Sequence, residues 1–305
     1  MKAVLAGGTG FIGNALVEAL LERGDKVTLM TRDLPAAQQR WDGRVDARLW
    51  NGRDPGPWVM AIDGADAVVN LAGESVAGGR WTPERKLALI KSRVDSTRAV
   101  VKAIEAAKAR PLVLVNASAV GYYGARPAGE CAEDAPQGSD FLAALCGQWE
   151  REARAAEKLD VRAVMTRFGV VLGRRGGALA KMLTPFRLGA GGPLGSGRQP
   201  FPWVHVDDAV GAILFAIDDA KLAGPLNVAA PEARTNKEFT KSLGRALRRP
   251  AFIPVPAFAL RLALGEMSTL LLDGQRAVPA KLEARGYAFK HPSLDGALAA
   301  LFPPA

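Results

Sequence analysis

Residues 3–13 read AVLAGGTGFIG, an apolar run followed by glycines at 7, 10 and 13 and then a helical pattern. A strand that ends in Gly-x-x-Gly-x-x-Gly and opens a helix starts a βαβ unit with a dinucleotide-binding turn. Gly7 makes the tight turn, Gly10 lets backbone approach a pyrophosphate, and Gly13 lets helix and strand pack closely. The phosphate charge then meets free N–H groups and the positive end of the helix dipole.

The rest of the first half continues this alternation. Apolar segments at 2–6, 26–31, 45–50, 66–72, 112–118 and 161–166 read as strands, and 11–23, 83–109, 139–158 and 207–220 read as helices. Strands separated by helices of this length pair in parallel, with helices on both faces. The predicted fold class is α/β, a Rossmann-type doubly wound parallel sheet with a smaller C-terminal substrate lobe. The dinucleotide domain spans 1–172 and is completed by about 201–230. Residues 173–200, rich in Gly, Arg and Pro around one short helix at 177–188, and residues 231–305, with helical patterns at 235–247, 256–272 and 293–302, form the lobe.

The chain's net charge of +9 suits an acidic small molecule, a phosphorylated cofactor or an anionic substrate. No basic block exceeds the pair Arg248-Arg249, so no nucleic-acid partner is expected. The most apolar stretch, 258–272, carries Arg261 and Glu266 and reads as one or two amphipathic helices, so no membrane partner is expected. Cys131 and Cys146 match neither a zinc nor a disulfide spacing, which points to reduced thiols and a cytoplasmic location. Two histidines without a ligand-spaced cluster imply no metal.

The end of the second strand selects the dinucleotide. An acidic residue there binds a ribose 2′-hydroxyl, and an arginine accommodates a 2′-phosphate. The chain reads Thr31-Arg32-Asp33. Arg32 favours NADP, and Asp33 keeps NAD open as the lesser choice.

The segments GGTGFIG, NLAGE (70–74), NASAVGYYG (116–124) and WVHVDDAV (203–210) resemble the extended short-chain dehydrogenase/reductase superfamily, the group with the NAD-dependent epimerases and dehydratases. More narrowly, NLAGESVAGGRWTPERK, SRVDSTR, RFGVVLG and the tail PVPAFALRLALGEMSTLLLDGQRAVPAKLEARGY resemble an atypical family of epimerase-like proteins with a C-terminal domain of unknown function. The resemblance covers nearly the whole chain. It implies a phosphate loop of Gly7, Thr9, Gly10, Phe11, Ile12 and Gly13, and Arg32 at the 2′-phosphate. It further implies Trp50 and Asn51 near adenine, Leu71, Ala72 and Gly73 along the ribose, and Ala117 and Ser118 beside the nicotinamide. Arg167, Phe168, Gly169 and Val170 resemble the segment that meets the carboxamide.

Typical members place Tyr-x-x-x-Lys on the helix after the fifth strand, where the tyrosine moves the proton that accompanies hydride transfer. Aligned through Glu150, this helix has Leu142 in place of the tyrosine and Cys146 in place of the lysine. None of the three tyrosines, Tyr122, Tyr123 and Tyr287, has a lysine four residues on. Sugar-nucleotide members often carry a diphosphate-gripping arginine where this chain has Phe201.

Candidates for the missing proton are Ser118, which follows the fifth strand, Tyr122 and Tyr123 on the adjoining loop, and Glu74 after the fourth strand. Cys146 reads as a packed helix thiol and His205 as part of a structural segment. Arg80, Arg93, Lys181 and Arg187 are expected near the pocket, where they would attract an anionic small-molecule substrate. The expected function is an NADP-dependent oxidoreductase or epimerase-like enzyme with an atypical active site. The alternative is a non-catalytic NADP-binding sensor.

Overall fold

Val4 and Leu5 are neighbours in the first strand, and they face opposite cores. Both are fully buried, Val4 with Met30, Val68 and Leu114, and Leu5 with Leu29, Val69 and Val115. A strand buried on both faces must be apolar throughout, which is why these segments lack polar alternation.

The computed structural model describes residues 1–303. Its strands are β1 (Lys2–Ala6), β2 (Lys26–Thr31), β3 (Asp46–Leu49), β4 (Ala67–Asn70), β5 (Val113–Ala119), β6 (Arg126–Cys131), β7 (Arg162–Phe168), β8 (Val170–Leu172), β9 (Trp203–His205), β10 (Gly224–Val228) and β11 (Gln275–Ala277). Seven of them form one parallel sheet in the order β10-β7-β5-β4-β1-β2-β3. The chain reverses direction across the sheet between β1 and β4. Ligands of open α/β sheets bind at the carboxyl end of such a switch point.

The helices are α1 (Phe11–Glu22), α2 (Leu34–Trp41), α3 (Pro83–Ala106), α4 (Phe141–Arg154), α5 (Gly177–Arg187), α6 (Val206–Asp218), α7 (Asn236–Leu247), α8 (Ala257–Leu264), α9 (Thr269–Leu272), α10 (Ala280–Ala284) and α11 (Leu294–Leu301). Leu16, Val17 and Leu20 of α1 and Ile213 and Ala216 of α6 close one face of the sheet, while Val100 and Ile104 of α3 close the other. The long helix α3 has a strong start: Thr82 accepts a hydrogen bond from the Arg85 N–H, and Pro83 occupies the first turn. A separate core of Leu179, Leu183, Phe186, Phe239, Leu243, Leu294 and Leu298 joins α5, α7 and α11.

Two local features depart from the sequence reading. Helix α2 was not anticipated, because its apolar face is only Ala37 and Trp41; the Asp33 carboxylate starts it by accepting from the Ala36 N–H. The 256–272 pattern, by contrast, is the two-helix form of the one or two helices expected, divided at Gly265, whose φ of 60° ends α8. The short pairs β6–β11 and β8–β9 were also unforeseen, since each joins segments remote in sequence. Among the described residues no helix is long and apolar enough to cross a membrane.

Candidate cofactor and active site

The three motif glycines have different surroundings. Gly7 has φ 76°, and a Cβ there would strike the backbone of Leu71 and Ala72 at 2.6–2.8 Å. The loop is therefore pressed against the chain leaving β4. At Gly13 a Cβ would meet the Gly7 carbonyl at 2.3 Å, so α1 seats directly on the turn. At Gly10 the only neighbour is the Gly7 carbonyl oxygen, at 3.2 Å. Gly10 is also the N-cap of α1 and supplies no side-chain cap, so the first N–H groups of the helix lack a side-chain acceptor. Thr9 is exposed and accepts from the Asn14 side chain through its carbonyl. Ile12 packs on the sheet core, and Phe11 lies against Gly173, Gly176 and Gly177, tying the loop to the start of α5.

At the end of β2 the two competing residues separate. Asp33 is committed as the cap of α2, with its Oδ1 3.0 Å from the Ala36 nitrogen. Arg32 is exposed. The adenine assignment changes for one residue. Trp50 is 4% exposed and packs on Trp58 with ring centroids 5.5 Å apart, so its indole is a core group rather than a platform. Asn51 is exposed, and its side chain organises the turn to Asp54.

Beyond β5 lies a buried polar network. The Arg167 guanidinium forks onto Glu150, Nε to Oε1 at 2.7 Å and Nη2 to Oε2 at 2.8 Å. Ser118 donates its hydroxyl to the same Oε1 at 2.7 Å. Tyr123 donates to Asn227 Oδ1 at 2.7 Å and accepts from Arg167 Nη1 at 2.9 Å. Asn227 in turn donates to the Cys131 and Val278 carbonyls, and its backbone N–H donates to Glu133. Burial favours the neutral form of Arg167, but the hydrogen bonds and charge of Glu150 outweigh it and raise its pKa. Burial pushes the Tyr123 phenol up to about 12 despite Arg167 beside it.

This network bears on the proton-donor candidates. The Ser118 and Tyr123 hydroxyl protons are donated to Glu150 and Asn227, and the Arg167 guanidinium is committed to Glu150, Tyr123 and the Glu133 carbonyl. Of its neighbours, Phe168 is buried, Gly169 donates its N–H to the Val228 carbonyl and Val170 donates to the Pro202 carbonyl. Tyr122 remains half-buried, with its ring stacked on Arg167 at 3.5 Å from the guanidinium carbon.

On α4, Leu142 packs with Trp81, Leu89, Leu145 and Met267, and Cys146 is 3% exposed. Burial, followed by the charge of Glu150, pushes the Cys146 thiol up to about 12. A charge does stand near this position, although it comes from α3. Arg93 donates to the Glu74 and Leu89 carbonyls and lies over Trp149, and a Cβ on Gly73 would meet its guanidinium at 3.2 Å. Its burial lowers its pKa, partly offset by Cys146.

The chain leaving β4 is anchored at its start: Leu71 N–H donates to the Ala6 carbonyl and Ala72 N–H to Asn70 Oδ1. Ala117 is buried within β5. The Glu74 carboxylate is paired with Arg85 and partly exposed. Lys181 donates to the Ala77 carbonyl at 3.0 Å. Arg80 instead lies against Gly265, and Arg187 is exposed at the end of α5, outside the lobe cavity that Lys181 lines.

One group of metal-ligand types lies elsewhere in the fold. The fold brings His205, Asp207 and His291 together, with the two imidazole centroids 3.9 Å apart. Eighty-odd residues separate the histidines in sequence, so spacing had no signal to offer. Lys290 Nζ sits 3.0 Å from Asp207 and supplies a cation there already. His205 is a helix cap: its Nδ1 accepts from the Asp207 N–H at 3.1 Å.

With the glycine loop, the switch point and the lobe in place, the relatives can be set beside them. Residues 3–229 match the NAD dependent epimerase/dehydratase family, and residues 255–301 match a domain of unknown function (DUF1731). The chain belongs to the NAD dependent epimerase/dehydratase family. It is 41% identical to the chloroplastic epimerase family protein SDR39U1 homolog of Arabidopsis thaliana, over 99% of this chain and 86% of that one. It is 39% identical to the epimerase family protein YfhF of Bacillus subtilis, over 99% of this chain and 98% of that one. The crystal structure of human epimerase family protein SDR39U1 with NADPH superposes with a TM-score of 0.90 at 37% identity, covering 100% of both chains. The pairing of an epimerase-family domain with a C-terminal domain of unknown function is the one that the sequence resemblance implied.

Proposed function

We propose that this epimerase-family protein binds NADP(H) along the carboxyl edge of its sheet and works as an oxidoreductase or epimerase-like enzyme on a small molecule, in the cytoplasm. The observation that carries the cofactor choice is the division of labour at the end of β2: Asp33 caps α2, which leaves Arg32 free for a 2′-phosphate. The NADPH in the human relative's structure supports the same choice. The site residues fit a dinucleotide, since Gly10 is open beside an uncapped helix N-terminus.

In this reading Gly7, Thr9, Gly10, Phe11, Ile12 and Gly13 receive the pyrophosphate, Arg32 and Asn51 the adenosine side, and Leu71, Ala72 and Gly73 the ribose. Bound there, the cofactor supplies or takes a hydride. The chain's own contribution is a proton at Tyr122, the one hydroxyl beyond β5 that the buried network does not consume. Arg167 fixes the Tyr122 ring from behind and Arg93 places a cation behind Gly73. Ser118 and Tyr123 are positioning residues, while Glu74 serves as a second carboxylate at the rim. The domain bounds 1–172 with 201–230, and a substrate lobe of 173–200 and 231–305, belong to the same proposal.

The test is NADPH binding by calorimetry, followed by a carbonyl-substrate screen read by NADPH absorbance. Tyr122→Phe is expected to cost roughly a hundred- to ten-thousandfold in turnover, with Cys146→Ala close to wild type. The reverse pattern refutes Tyr122. Tight NADPH binding with no turnover on any carbonyl favours a sensor instead, a reading supported by the lost Tyr-x-x-x-Lys pair and the sealed Cys146.

A further inference from the structure

Between α5, α7, α9 and the 190–194 loop lies a cavity of about 350 Å³. Its walls are apolar: Met182, Phe186, Phe239, Val255, Leu270 and Leu271. Phe239 is backed by Phe201, stacked on it with centroids 4.2 Å apart. Ala77 closes one side, held by the Lys181 ammonium through its carbonyl. Ala77 is four residues beyond Gly73, so the cavity lies within about 14 Å of that residue along the chain.

Three polar residues line this apolar space: Lys181, committed to the Ala77 carbonyl, and Asn236 and Thr240 of α7. Asn236 and Thr240 sit one helical turn apart on α7 and are 3% and 2% exposed. The orientation of Asn236 is fixed, because its Oδ1 accepts from the Leu194 N–H at 2.8 Å. Its Nδ2 therefore turns the other way, and it meets no acceptor among the described residues. The Thr240 hydroxyl likewise has no hydrogen-bond partner among them. Neither atom is among the fully buried atoms left without a partner, so both open onto accessible space, and a few polar groups in an apolar wall are how a pocket fixes a ligand's orientation.

We propose that this cavity is the substrate pocket for an apolar-bodied carbonyl or hydroxy compound, whose oxygen accepts from Asn236 and Thr240. Its lining argues against a sugar nucleotide, whose hydroxyls and phosphates would lose water here for three polar side chains, one of them a lysine already held by the Ala77 carbonyl. The proposal rests on the reading of residues 71–73 as the cofactor side and deepens it by naming the substrate class.

The experiment is calorimetry on the full chain, with and without NADPH, using acetophenone, its near-isostere ethylbenzene, methyl hexyl ketone and UDP-glucose. Acetophenone and methyl hexyl ketone are expected to bind, ethylbenzene more weakly and UDP-glucose not at all. Thr240→Val, which keeps the shape, should weaken acetophenone by roughly three- to tenfold and leave ethylbenzene unchanged. Ala178→Phe should fill the cavity and abolish ketone binding with an unchanged thermal melt and unchanged NADPH affinity. Binding of UDP-glucose in preference to the ketones, or ketone binding indifferent to both substitutions, overturns the proposal. Loss of NADPH binding with ketone binding intact would instead refute the cofactor reading and leave this pocket standing.

Discussion

Arg167 and Glu150 form a two-point ion pair in which both side chains are 2% exposed. Two charges out of water are tolerable because four of the five Arg167 N–H donors and both Glu150 oxygens are hydrogen-bonded. Glu150 accepts from Arg167 twice and from Ser118, while Arg167 also reaches Tyr123 and the Glu133 carbonyl. Removing one partner strands the other. Arg167→Met and Glu150→Ala are each expected to destabilise the fold by about 3–5 kcal/mol. The double substitution should cost less than the sum of the singles, because no buried charge is then left alone. Urea denaturation of the four proteins checks this. Additive losses would show that the pair is not coupled.

A second expectation concerns the phosphate loop. Gly10 has φ −77°, which any residue adopts, and its only near neighbour is one carbonyl oxygen. Gly10→Val is therefore expected to fold with a melt close to wild type and to lose NADPH binding, because the branched side chain stands where the pyrophosphate approaches. Gly13→Val is the contrast: with backbone at 2.3–2.8 Å it should fail to fold properly. Circular dichroism and calorimetry separate the two. A folded Gly10→Val that binds NADPH normally would remove the loop from the site.

Arg32→Ala is expected to weaken NADPH by roughly ten- to a hundredfold, the value of a charge-assisted contact to phosphate, and to leave NADH affinity unchanged. Asp33→Ala should act otherwise. It removes the cap of α2 and costs about 1 kcal/mol of stability with little change in cofactor preference. Equal affinity of wild type for the two dinucleotides would contradict the role given to Arg32.

The sheet and the glycine loop were legible because they are written locally. β1, the turn and α1 occupy one continuous stretch, and an apolar strand period or a glycine spacing can be read without knowing what packs where. The buried network was not legible in that way. Arg167 reads as a polar interruption in a strand, and nothing near it in sequence shows that Glu150, Tyr123 and Ser118 will converge on it. The packing of Trp50 was hidden for a related reason: its position after β3 is local, but its ring partner Trp58 lies eight residues on. Phe201, noted only as a missing arginine, proves to be one half of a stacked aromatic pair behind the lobe cavity. Arg93, placed near the pocket from its sequence segment, approaches Gly73 from α3.

The last expectation is a pH dependence of stability that follows from His205. Its Nδ1 accepts the Asp207 N–H at the start of α6, so its proton is on Nε2, which is buried and has no partner. Protonating the ring would place a donor against that N–H and a charge in a site only 4% exposed. Burial first, and then the His291 ring beside it, hold the His205 pKa below its ordinary 6.5, while Asp207 and Asp208 oppose this and Lys290 adds to it. Since the folded pKa is the lower one, the unfolded chain takes up the proton first as pH falls. Stability is therefore unaffected well above pH 6.5 and declines as pH drops below it. The lowered pKa of Asp207, held down against burial by Lys290, acts in a separate window below its ordinary 3.8. His205→Asn keeps a side-chain acceptor for the cap and removes the titration. Thermal melts between neutral pH and about pH 5 should show the wild type losing stability relative to His205→Asn as pH falls below 6.5. Parallel curves for the two proteins would show that His205 does not titrate with folding.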